Sequence, residues 1–164
     1  MGGSWWQPAL VFLLVGLVAA CTTVAPPTAG PPAGPTVRIG GTNFTVEVAD
    51  NPEARAKGLS GRASLPPGAG MLFIFEEARV HTFWMKDMMF PLDLVWIGEQ
   101  CTVASISPNV PPPTAEQADS DLPRFRPTQP VRYVLEINGG EAAAQIQVGD
   151  PVAFSGSLEG RFYC

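Results

Sequence analysis

Residues 91–98, PLDLVWIG, are an apolar run with one carboxylate, Asp93, near its middle. Read as a strand, the run puts Pro91, Asp93, Val95 and Ile97 on one face and Leu92, Leu94 and Trp96 on the other. Both faces are apolar, so the strand should be covered on both sides and Asp93 should be at least partly buried. A buried carboxylate without a partner costs several kcal/mol or gives up its charge. The fold must therefore supply Asp93 with a cation or with N–H donors.

The neighbouring sequence carries the same kind of strand. MLFIF at 71–75 is continuously apolar between Gly70 and Glu76, and predicts a strand buried on both faces. VRYVLEIN at 131–138 repeats the problem of Asp93 with Glu136, which lies between Leu135 and Ile137. Residues 37–49, VRIGGTNFTVEVA, read as a β-hairpin, with Phe44, Val46 and Val48 turned inward and glycines where the turn needs positive φ. HTFWMK, CTVASIS and PVAFSG add further strands. Asn51, Pro52 and Glu53 form a helix start, and Lys57 followed by Gly58 ends it after two turns. Seven prolines from Pro108 to Pro130 predict a long irregular loop. Eight or so short strands with one or two short helices make residues 37–164 a single mainly β domain, a β-sandwich or a barrel.

The N-terminal twenty residues, MGGSWWQPALVFLLVGLVAA, hold an apolar run of a length that suits a signal-peptide core. Leu17-Val18-Ala19-Ala20-Cys21 looks like the lipobox of bacterial lipoproteins, in which the cysteine is acylated and becomes the mature N-terminus. Residues 21–36 then read as the lipidated Cys21 and a proline-rich extended tether. The expected location is extracytoplasmic, with the domain held to a bacterial membrane through its lipid and facing the periplasm or the exterior. In such a compartment Cys101 and Cys164 are candidates for a disulfide, the alternative being two unpaired buried thiols. The formal net charge is −5 and no cluster of Lys and Arg occurs, which argues against nucleic acid as a partner.

Arg62 is the favoured partner for Asp93, since a guanidinium grips a carboxylate with two hydrogen bonds and keeps its charge when buried. Lys86 and the backbone N–H groups of glycine-rich turns are the other candidates. Two arrangements follow. In one, Asp93 pairs with Arg62 and Glu136 with Lys86, fixing register and binding nothing. In the other, Arg62, Lys86, Asp93 and Glu136 converge with Trp84 and Trp96 on a pocket for a sugar or another small polar ligand. A hydrolase would use Asp93 and Glu136 as an acid and base pair, which needs the carboxyls about 5 Å or about 6.5–9.5 Å apart. Serine chemistry has little support, because Gly58-Leu59-Ser60-Gly61 is not a nucleophile elbow and His81 is the chain's sole histidine. His81, Met85, Met88 and Met89 lie within nine residues and form a candidate Cu(I) set, against the plainer reading of methionines as core filler. No cofactor is expected.

One ordered series of motifs spans residues 37–154: Gly58-Leu59 with Arg62, Gly70-Met71-Leu72-Phe73, Phe83-Trp84-Met85-Lys86, Pro91-Leu92-Asp93, Val134-Leu135-Glu136 and Gly149-Asp150. This series resembles the domain of unknown function family 192. The resemblance implies a compact, mostly β domain, often exported, with no established activity. The expected role is a binding or accessory module of the cell envelope rather than an enzyme.

Overall fold

The computed structural model describes residues 1–3, 34–162 and 164. Residues 4–20 of the signal segment, Cys21 and nearly all of the tether lie outside the described residues. The hairpin forms as expected, from β1 (Thr36–Ile39) and β2 (Thr42–Ala49) around Gly40, whose φ is 57°. A short helix, α1 (Pro52–Lys57), starts where Asn51 Oδ1 accepts the N–H of Ala54 at 2.9 Å. Five more strands follow: β3 (Ala69–Arg79), β4 (Leu92–Ile97), β5 (Val103–Val110), β6 (Val131–Asn138) and β7 (Val152–Ser155). A second helix, α2 (Glu141–Gln145), sits between β6 and β7.

The seven strands make one curled sheet in the order β5-β4-β6-β3-β2-β1-β7. β2 and β3 run parallel, joined through α1, and the other neighbours are antiparallel. The curl brings the two outer strands together. Gly149 N–H donates to Val103 O and Val152 N–H to Cys101 O, both at 2.8 Å, and Val103 N–H donates to Asp150 O at 3.0 Å. The Cys101–Cys164 disulfide forms at this seam, with Cα atoms 5.3 Å apart. The expected mainly β, barrel-like domain is what the chain adopts.

Strand alternation sorts the core into two layers. Inside the curl pack Ile39, Phe44, Leu72, Val95, Tyr133 and Leu135 with their neighbours. On the outer face Met71, Phe73, Leu94, Trp96 and Val134 are covered by Leu59, Leu65, Met85 and Met88. β4, β6 and residues 70–74 of β3 are thus buried on both sides, as their continuous apolar runs predict, while Glu76, Glu77 and Arg79 at the end of β3 are exposed.

Residues 81–86, HTFWMK, do not form a strand. Only Phe83 pairs, exchanging 2.9 Å hydrogen bonds with Phe125 in an isolated bridge. A turn follows at once, with Met88 N–H on Met85 O and Asp87 at φ 56°. The strand β5 runs further than expected, through Pro108 to Val110, shortening the irregular loop.

Candidate functional site

Glu136 lies on the outer face of β6, in register with Leu94 of β4 and Met71 of β3. Those neighbours are hydrocarbon and thioether, and Glu136 is only 6% exposed. Its carboxyl has no hydrogen-bond or ion-pair partner among the described residues. Burial alone pushes its pKa up to about 8, so near neutral pH the group is mostly a protonated acid.

A cavity of about 280 Å³ opens over Glu136. One wall is the end of α1, from Arg55 to Gly58, followed by Leu59 and Ser60; the other is Thr82, Phe83, Trp84 and Met88. Gly58 stops the helix at φ 49° and ψ −139°, a conformation that side chains beyond glycine strongly disfavour. Two bonds tie the walls together: Ser60 Oγ donates to Lys86 O at 2.9 Å, and Gly61 N–H to Asp87 O at 2.8 Å. Aromatic rings line the interior. Phe83 stands edge-on to Phe73 at 5.0 Å, to Phe75 at 6.3 Å and to Trp96 at 5.4 Å.

Cations gather near the mouth. Arg55 Nη1 donates to Ile74 O at 2.9 Å and its guanidinium lies 5.3 Å from the Phe75 ring centre. Lys57 is exposed. Trp84, 41% exposed, carries Arg124 at 4.1 Å and Lys86 at 5.5 Å from its ring centre.

Of the residues expected to converge, Trp84 and Glu136 share this cavity. The others do not. Arg62 pairs with Glu47 through both oxygens, at 2.5 and 2.7 Å, and holds that carboxyl below the usual range. Lys86 pairs with Asp119 across the surface. Asp93 faces the inside of the curl, on the opposite side of the sheet from Glu136, and takes its partners from the backbone. Asn109 N–H and Ala142 N–H reach it at 2.6 Å and Gly140 N–H at 3.0 Å. The pairings Asp93 with Arg62 and Glu136 with Lys86 are therefore corrected: backbone donors from β5, α2 and its flank satisfy one acid, and no protein group among the described residues satisfies the other. Asp93 and Glu136 also cannot act across one bond, since the sheet separates them. Trp96 is fully buried beneath Phe83, its indole N–H on Ser107 Oγ at 3.0 Å.

The Cu(I) set is dispersed into different surroundings. His81 stacks on Phe75 at 3.6 Å, Met85 belongs to the outer core, Met88 lines the cavity and Met89 is 62% exposed. Arg55, Lys57, Ser60, Thr82 and Phe83 line the site without having been marked by the sequence. The available signal was the helix stop at Gly58, which ends α1 at the cavity wall.

Among known proteins, the sequence profile of the DUF192 family, described as "Uncharacterized ACR", matches residues 35–154. A protein of unknown function from Novosphingobium aromaticivorans is 32% identical, with a TM-score of 0.67 over 76% of this chain and 94% of that one. A putative transcription regulator from Sinorhizobium meliloti is 31% identical, with a TM-score of 0.65 over 77% of this chain and 98% of that one. No curated protein matches.

Proposed function

The chain belongs to the DUF192 family, and from the cavity over Glu136 we propose that it is a lipid-anchored, extracytoplasmic binding module that takes a small polar ligand. The observation that carries this reading is an unpartnered acid on the floor of an aromatic cavity. Such an acid lowers stability, and its natural use is to meet a group that arrives from outside. The lipobox-like Leu17–Cys21 and the tether supply the envelope part of the reading. The Sinorhizobium relative's description invites a nucleic-acid role, which a net charge of −5 without a basic cluster does not favour here. An enzyme built on a carboxyl pair draws no support from the cavity, because among the described residues Glu136 has no second acid beside it there.

The test is a thermal-shift panel of monosaccharides, amino acids, organic amines and organic acids on wild type and Glu136→Leu. One class should raise the Tm of the wild type and leave Glu136→Leu unmoved. If no class shifts the wild type, or the variant responds equally, the binding reading fails.

A further inference from the structure

The chemistry of the cavity is two-ended. Its floor holds one carboxyl, and the ionisable groups beside it on the lining are Arg55 and Lys57, both from α1. Each remaining lining side chain is uncharged: hydroxyls at Ser60 and Thr82, rings at Phe73, Phe75, Phe83 and Trp84, and aliphatic or thioether groups. Neither Arg55 nor Lys57 contacts Glu136, and neither offsets the effect of burial on it. The floor and the mouth are separate poles with hydrocarbon between them.

Each single-charge ligand satisfies one pole only. An anion would meet Arg55 and Lys57 and leave Glu136 still without a partner. A cation would meet Glu136 after passing the like charges of Arg55 and Lys57 on the lining. Resting on the binding reading above, we propose that the cavity takes a small organic zwitterion, with its ammonium end against Glu136 and its anionic end at Arg55 and Lys57. The aromatic lining suits the ammonium end, since ring faces and edges stabilise an organic cation away from water. This molecule already pairs cations with these rings, Arg55 with Phe75 and Arg124 with Trp84. Leu59 and Met88 offer hydrocarbon to the linker between the charges. The volume of about 280 Å³ limits the ligand to amino-acid or betaine size.

Proton balance gives the binding a signature. The carboxylic acid of Glu136 meets R-NH3⁺, forms the carboxylate–ammonium pair and releases its proton to buffer. Because the free acid is mostly protonated at pH 7, close to one proton should leave per ligand bound.

The experiment is titration calorimetry at pH 7 in two buffers of different ionisation enthalpy. The probes are γ-aminobutyrate, δ-aminovalerate, ε-aminocaproate and glycine betaine, with n-butylamine and butyrate as single-charge halves. At least one zwitterion should bind roughly tenfold or more tightly than either half, with proton release. Glu136→Gln should abolish the release and weaken that zwitterion by a similar factor. Lys57→Ala should weaken the zwitterion while leaving n-butylamine unchanged or tighter. Binding of n-butylamine or butyrate as tightly as any zwitterion, or zwitterion binding indifferent to Glu136→Gln, overturns the proposal. If another class in the thermal-shift panel binds through Glu136 and no zwitterion does, this inference fails and the binding reading stands. If nothing in the panel binds, the binding reading fails with it.

Discussion

Asp93 and Glu136 are side chains of one chemistry, both buried on neighbouring strands, and they meet opposite fates. Asp93 accepts three backbone N–H groups, so Asp93→Ala strands three donors in the interior and should cost about 3 kcal/mol or more. Arg62 faces Glu47 at the surface, and Arg62→Ala should cost less than about 1 kcal/mol. Urea denaturation of the two variants separates these cases; comparable losses would mean that Arg62 does more than serve Glu47. Glu136 gives a pH signature. Folding raises its pKa from 4.5 to about 8, so between those values the native state holds a proton that the unfolded chain has lost. Stability should therefore fall as pH rises through that window, by up to about 1.4 kcal/mol per pH unit, and level off above it. Glu136→Gln should remove this slope, gaining little near the acid end and most above pH 8. The burial of both acids was legible, since each interrupts an apolar strand. Their partners were not: both faces of these strands are apolar, and Asp93's donors depend on Asn109 adopting φ 46° and on a five-residue helix of weak signal.

Residues 81–86 show how an element can satisfy a strand pattern without joining the sheet. Thr82 and Trp84 are exposed while Phe83 and Met85 turn inward, which is the alternation that the sequence displays. The inward residues reach the core by lying flat on the sheet's outer face, pinned at Phe83 to Phe125, and the backbone has no strand edge to pair with. Alternation reports which side is buried and leaves the hydrogen-bond partner open. The hairpin and α1 were legible because their signals are local: glycines at the turn, Asn51 at one helix end, Gly58 at the other. Gly58 connects the helix to the cavity. A Cβ there would stand 3.3 Å from Phe73 Cζ, on a backbone already at positive φ. Gly58→Ala should cost about 1–3 kcal/mol in chemical denaturation and weaken any ligand of the cavity, because Phe73 must shift. Unchanged stability would show that the helix can end another way.

At the scale of the molecule, the sheet's order decides which parts of the chain depend on one another. β1, the earliest strand, lies between β2 and β7, and β7 also closes the seam against the start of β5. The disulfide fastens the same seam and, across 63 residues, stabilises the domain by roughly 4 kcal/mol in the chain-entropy view. The barrel-like class was legible from many short strands in a small domain, whereas strand order was not, since it rests on a parallel pairing of β2 with β3 that no hairpin signal announces. This closure ties completion of the fold to β7, the domain's most C-terminal strand. A nascent or clipped polypeptide that stops before residue 151 would leave β1 and β5 with bare edges, each able to recruit a strand from a second chain. The seventh strand must be in place before the molecule is safe from its own copies.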